Sequence, residues 1–205
     1  DEERLLSTPI FEMPLLRRRK GSPFRTTDDI ITAAHRSGEL PVVAIAGGEN
    51  EEALLAAKLA NHEGAPKIAK FVLYGKYDKI SHLAWELDIP LDDENFIIVD
   101  TDHPVQGAIG LLEAGIAATV MKGSVMTSDL LKGFFRSLKS QGKTGPGFLL
   151  SHIVFFDIPG RPKLIGVTDA AINPEPDLPA RFRILDNALD VYDLLGIKKP
   201  KVAVI

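Results

Sequence analysis

The sequence predicts an α/β fold built on a parallel sheet with helices on both faces. Three observations predict it. Short apolar runs alternate with longer amphipathic stretches from Pro41 onward, several stretches are closed by a glycine, and the runs are apolar at consecutive positions. A strand such as Val42-Val43-Ala44-Ile45 has no polar side to offer solvent, so it belongs in a sheet covered on both faces.

The elements follow in order. Thr26-Thr27-Asp28-Asp29 supplies the cap of a helix expected through Ile30 to His35, with Ser37-Gly38 ending it. Pro41 to Ala46 reads as a strand, Asn50 to His62 as a helix, Phe71 to Tyr74 as a strand, Lys79 to Leu87 as a helix and Asn95 to Val99 as a strand. Pro104 to Ala114 is a helix stopped by Gly115, Ala118 to Met121 a strand, and Ser128 to Leu138 a helix. Gln141 to Gly147 is dense in turn residues and places a domain transition there. Residues 1–145 are expected to form a first α/β domain with an N-terminal extension, and 146–205 the start of a second. In that second part come the apolar runs Ile153 to Ile158 and Leu164 to Val167, a Pro-rich turn from Asn173 to Pro179, and a helix from Ala180 to Leu195. Gly196 suits the left-handed cap of that helix, and Pro200 follows its end. Lys201 to Ile205 reads as one more buried strand. Such a strand needs neighbours, so the chain is expected to continue beyond it.

Composition narrows the function classes. The 205 residues are 45% hydrophobic with a formal net charge of −4, and acidic and basic residues are mixed along the chain. No surface is set up to neutralise many phosphates, so nucleic acid is not an expected partner. Cysteine is absent, which removes a disulfide framework, a thiolate metal site and a catalytic thiol. The longest apolar stretch, Ala108 to Met121, is shorter than the roughly 20 residues of a membrane helix and carries Glu113, so no span is expected. A cytoplasmic protein is the reading. The first residue is Asp1 rather than methionine, which suggests a processed or trimmed start. The basic cluster Arg17-Arg18-Arg19-Lys20 reads as a solvated segment, with a phosphate or cofactor contact as the alternative.

Ligands of open parallel sheets bind at the carboxyl ends of strands. Three segments fall there: Ala46-Gly47-Gly48-Glu49-Asn50, Lys122 to Ser128, and Thr168 to Asn173. In the second, Lys122, Gly123, Ser124, Thr127 and Ser128 bring one positive charge, a glycine and three hydroxyls to a helix start. That set suits a phosphate or acyl phosphate, and it also suits a helix cap. Neither a P-loop nor a dinucleotide glycine spacing is present. Gly47-Gly48 read as a tight turn. Ser151-His152 follow the flexible loop, where histidine could serve as acid or base and serine as donor, or the pair could simply be satisfied at a sheet end. Asp169 could orient a ligand or fix its own turn. Asp100 and Asp102 are expected to cap the following helix rather than bind a metal, and the histidines show no metal-like spacing.

Met121 to Leu131, Ser151-His152, Thr168 to Pro174, Asn187-Ala188, Leu195-Gly196-Ile197 and Pro200 to Val204, in this order, resemble the landmarks of the phosphate acetyl/butyryltransferase family, and its butyryl branch more closely. The resemblance covers residues 40–205. It implies two α/β domains around a cleft, as in isocitrate and isopropylmalate dehydrogenases, truncated here. It implies transfer of a short-chain acyl group between coenzyme A and phosphate, with acyl-CoA, phosphate and acyl phosphate as partners and coenzyme A as a substrate. No metal or other cofactor is implied, and a homodimer or higher homo-oligomer is. By resemblance Lys122, Gly123, Ser124, Thr127 and Ser128 hold phosphate, Ser151, His152 and Asp169 are catalytic, and Thr168 and Asn173 line the far wall. Two departures stand out. Lys132 stands near where the acetyl enzymes carry an arginine, and lysine lacks the bidentate grip. The family's later segment, with its serine and aspartate for thiol activation, is not in these residues. The alternative is therefore a non-catalytic truncated relative that binds phosphate or CoA. A metal- and nicotinamide-dependent dehydrogenase of the same fold is a third reading, without an evident carboxylate cluster for the metal.

Overall fold

The computed structural model of the chain describes residues 23–205 except 39, 63, 65, 92, 93 and 162, and the basic cluster Arg17 to Lys20 lies outside the described residues. Helix α1, Thr27–Ser37, starts where the sequence predicts. The Thr26 hydroxyl accepts from the Asp29 amide while the Asp29 carboxylate accepts from the Thr26 amide, and Gly38 ends the helix in the left-handed region.

A run of alternating elements follows: β1 (Val42–Ala46), α2 (Glu51–Ala60), β2 (Lys70–Gly75), α3 (Tyr77–Glu86), β3 (Phe96–Asp100), α4 (Pro104–Glu113), β4 (Ala117–Lys122) and α5 (Thr127–Ser140). The four strands form one parallel sheet in the order β3-β2-β1-β4. Consecutive side chains of a strand point to opposite faces, and both faces are apolar as the sequence demands. On one, Ile45, Phe71, Leu73 and Phe96 pack against Leu54 and Ala57 of α2 and Ile80 and Ala84 of α3. On the other, Ala44, Ala46, Val72 and Tyr74 pack against Ala108 of α4. Ile45, Leu54, Leu73 and Ile80 are fully buried, and burial of each such side chain contributes about 1.5–3 kcal/mol.

Beyond the loop after α5 the architecture changes. β5 (Val154–Phe156) and β6 (Ile165–Val167) pair antiparallel in a sheet of their own. α6 (Leu178–Leu194), capped by Asp177 through the Ala180 amide, packs on that pair. The Tyr192 hydroxyl accepts from the Gly166 amide at 2.7 Å, and its ring meets Phe155 edge-on with centroids 5.4 Å apart. The apolar run 153–158 yields only three paired residues, because a strand extends as far as its partner's ladder and no further. The same principle corrects the expectation for Lys201 to Ile205. These residues are exposed and without regular structure, and among the described residues no strand pairs with them.

One feature of α6 works against stability. Asp186, Asp190 and Asp193 share a face by their spacing. Partial burial, and then the charges of Asp186 and Asp193, push the Asp190 carboxyl above its ordinary range. A carboxyl raised in the folded state stabilises below its unfolded value, and that contribution is lost as pH rises through the folded one. Asp190→Asn is therefore expected to raise the melting temperature at pH 7 and leave it unchanged near pH 3. Thermal denaturation at the two pH values checks this, and a lower melting temperature at pH 7 would refute it.

Candidate functional site

The strand order reverses between β1 and β4: the first three strands advance one way, and β4 returns to the other side of β1. Open parallel sheets offer a crevice at the carboxyl ends of the strands at such a reversal. The loop after β1 and the loop Lys122 to Ser128 after β4 meet there. The Gly123 amide donates to the Ala46 carbonyl at 2.9 Å, and the Ser124 amide to the Gly47 carbonyl at 2.8 Å. A Cβ on Gly123 would lie 1.9 Å from the Gly47 oxygen, and one on Gly47 would lie 2.5 Å from Ser124 Oγ. Contact between loops thus requires both glycines, and Gly47, with φ of 83°, also makes the tight turn expected of it.

Gly123 is buried, while the side chains of Lys122, Ser124, Thr127 and Ser128 are exposed. The cap position of α5 is taken by Met126, which makes no side-chain cap bond. The hydroxyls are therefore not consumed in capping. They stand beside the Thr127 and Ser128 amides at the start of the helix, while the Asp129 amide already donates to the Met126 carbonyl at 3.1 Å. Free amides beside hydroxyls are a combination suited to an anion. Lys122 Nζ donates to the Gly123 carbonyl at 3.1 Å. Lys132 is exposed and lies 3.9 Å from Asp129 one turn back on α5.

At this edge sequence reasoning passed over Lys76, gave Glu49 no role of its own and gave Asp102 a different one. Glu49, in the loop after β1, accepts from the Lys76 amide at 2.6 Å and from the Ser124 hydroxyl at 3.4 Å. Lys76, after β2, pairs with Asp102, after β3, at 2.7 Å. Their hydrogen bond first, and their attraction with it, lowers the Asp102 carboxyl and raises the Lys76 amine. The expectation that Asp100 and Asp102 cap α4 is corrected. His103 holds that cap position without a side-chain bond, and Asp100 instead accepts from the Tyr77 amide at 3.1 Å. β2 and β3 are neighbours, so carboxylates ending β3 reach the start of α3 across the ladder. The one available signal was position: an acid or lysine within a few residues of the end of each strand.

A second cluster gathers all the remaining candidates. Asp169 Oδ2 accepts from the His152 amide at 3.2 Å and from Asn173 Nδ2 at 2.6 Å. Its Oδ1 accepts from the Ala171 and Ile172 amides at 3.0 and 2.9 Å. Burial raises this carboxyl, but the donors Ile172, Ala171, Asn173 and His152 outweigh it and hold the group below the usual range. The Thr168 hydroxyl donates to the His152 carbonyl at 2.6 Å, Asn173 Nδ2 to the Leu150 carbonyl at 2.9 Å, and Asn187 Nδ2 to Ser151 Oγ at 2.9 Å. His152 Nδ1 is buried with no partner among the described residues, which leaves Nε2 as the ring atom able to meet a ligand.

Among the described residues no hydrogen bond or ion pair joins the two clusters. A cavity of about 330 Å³ lies at neither; it is lined by Val105, Ile109, Gly133 and Arg136 between α4 and α5. Among the described residues no group of three or more His, Asp and Glu side chains could hold a metal ion. No described helix is long and apolar enough to cross a membrane.

With this geometry in place, comparison with known proteins gives a consistent answer, although no family model matches the chain. A phosphate butyryltransferase of Clostridium acetobutylicum is 32% identical over 171 residues, covering 82% of this chain and 54% of that protein. A phosphate acetyltransferase of Rhizobium meliloti is 30% identical over 182 residues, covering 87% of this chain and 54% of that protein. Among solved structures, a branched-chain phosphotransacylase from Enterococcus faecalis superimposes with a TM-score of 0.54 at 25% identity, covering 75% of this chain and 51% of that one. The chain spans about half the length of the curated relatives it matches.

Proposed function

The chain belongs with the phosphate acetyl/butyryltransferases over four-fifths of its length, and from that premise we propose that the protein moves a short-chain or branched acyl group between coenzyme A and inorganic phosphate. The observation that carries this reading is the exposed, uncapped hydroxyl loop Lys122 to Ser128 at the sheet's switch point, in a chain with such relatives. Thr127 and Ser128, with the α5 amides, Gly123, Ser124 and Lys122, hold the phosphate. Asp169 fixes the opposite wall, where Ser151, His152, Thr168 and Asn173 face the acyl group. A phosphate oxygen attacks the acyl carbonyl and the CoA thiolate departs. In reverse the thiolate attacks the acyl phosphate. The chain's task is to hold the two reactants in line and to stabilise the charge that develops on the carbonyl oxygen.

The same reading extends to architecture. It takes residues 1–145 and 146–205 as parts of two domains of the isocitrate and isopropylmalate dehydrogenase type, with the reaction between them. It also takes the protein as a cytoplasmic homo-oligomer that needs no cofactor besides its substrate CoA. The separate β5–β6 and α6 unit beyond residue 145 supports that division.

Thiol release from acetyl-, propionyl- and butyryl-CoA, with and without phosphate, tests the function on the full-length protein. Phosphate-dependent release is expected. Phosphate binding without release from any of the three would leave a binding-only relative.

A further inference from the structure

We propose that Glu49, acting through Ser124, makes the hydroxyl loop select oxyanions that carry a proton, so that the site takes hydrogen phosphate and rejects the isosteric sulfate. The inference rests on the reading of this loop as a phosphate site. It begins from the carboxylate of Glu49, which accepts a hydrogen bond from the loop.

Glu49 is held in place from two sides. Its Oε1 accepts from the Lys76 amide at 2.6 Å, and the carboxylate lies against the bare backbone of Gly75, where a Cβ would be 2.4 Å from Oε2. Lys76 is itself tied to Asp102 at 2.7 Å, so its ammonium has a carboxylate partner of its own. Oε2 is left to accept from the Ser124 hydroxyl at 3.4 Å. Ser124 in turn sits against Gly47, which has no side chain to displace it.

A serine hydroxyl has one hydrogen and two lone pairs. With its hydrogen directed at Glu49, Ser124 presents only lone pairs to a ligand. An oxyanion meeting it must supply a hydrogen. Hydrogen phosphate has one near neutral pH, whereas sulfate has none and would place an acceptor against an acceptor beside a carboxylate. A site built to accept a ligand's hydrogen rejects the analogue that lacks it, because its own groups are left unpaired. Thr127 and Ser128 remain as donors to the ionised oxygens. The loop therefore divides its hydroxyls by role: Ser124 accepts, and the pair at the start of α5 donates.

Titration calorimetry of the full-length protein at pH 8 with inorganic phosphate and with sulfate tests this, together with the variants Glu49→Gln and Ser124→Ala. The wild type is expected to bind phosphate about tenfold or more tightly than sulfate. In Glu49→Gln, whose amide can donate to Ser124 and release its hydrogen, the ratio should fall to about twofold or less, as it should when Ser124→Ala removes the accepting oxygen. A melting curve of each variant separates loss of selectivity from loss of folding, and either variant alone suffices if the other fails to fold. Equal binding of the two anions by the wild type, or an unchanged ratio in a folded variant, overturns the inference while leaving the acyl-transfer reading intact. No phosphate binding at all, with no phosphate-dependent thiol release, overturns both.

Discussion

Gly123→Ala is expected to lower the melting temperature by roughly 10 °C, the equivalent of about 3 kcal/mol in a chain of this size. The added methyl would sit 1.9 Å from the Gly47 carbonyl oxygen. That atom is backbone, and it already accepts from the Ser124 amide at 2.8 Å, so it cannot step aside without breaking the bond. The loops after β1 and β4 would have to part, and the adjacent bond from the Gly123 amide to Ala46 would go with them. Gly110→Ala is the matching control. Gly110 lies within α4 with nothing inside 4 Å of a built Cβ, so alanine there should stabilise by about 0.5–1 kcal/mol. Thermal unfolding followed by circular dichroism reads both. A Gly123→Ala protein melting within a degree or two of wild type would show that the loop contact is not required.

The second large effect is expected at Asp169. Asp169→Asn keeps the shape and removes the charge, yet no orientation of the amide satisfies the site. Oδ1 faces the Ala171 and Ile172 amides, and Oδ2 faces the His152 amide and Asn173 Nδ2. Whichever side the new NH2 occupies, it meets two donors. Turning Asn173 to accept would forfeit its bond to the Leu150 carbonyl. A loss of about 2 kcal/mol is expected, a figure already reduced for the partial exposure of the group. Its pH dependence follows from the lowered carboxyl. A depressed folded-state value stabilises above the unfolded value, near about pH 4, and that contribution is lost as pH falls through the folded value. The stability gap between wild type and variant should hold from neutral pH down to about 4 and close below it. Denaturant titration across that range reads the gap, and a gap that persists unchanged at pH 2 would refute the account.

Both predictions concern residues that the sequence brought forward, but for reasons it could only partly state. Consecutive apolar positions made Val42 to Ala46, Phe71 to Tyr74, Asn95 to Val99 and Ala118 to Met121 legible as strands of a parallel sheet. Each was found within a few residues of its place, and parallel pairing joins them all. Local pattern failed at Lys201 to Ile205, where among the described residues no strand pairs with the run. It failed also at Asp100 and Asp102, because proximity in sequence to α4 suggested a cap while lateral pairing of β2 and β3 offered better partners at Lys76 and Tyr77. Glu49 was passed over for the same reason. Its neighbours Gly47 and Gly48 explained the turn, and its partners Lys76 and Ser124 lie 27 and 75 residues away. The Asp169 cluster was named in full, yet its wiring was not: four donors converging on one carboxylate is a fact of three dimensions.

The helix before the sheet has a mechanical consequence. At one end of α1, Thr27 binds Asp157 through both its amide and its hydroxyl at 2.9 Å, and nearby the Phe24 amide donates to the Leu195 carbonyl. At the other end, His35 Nδ1 lies 2.5 Å from the carbonyl oxygen of Pro66, in the connection leading to β2. The helix therefore spans from the hairpin unit to the sheet unit as a tie-rod anchored at both ends. Swinging the two units apart must detach one anchorage, whereas a rotation that pivots about the rod leaves both in place.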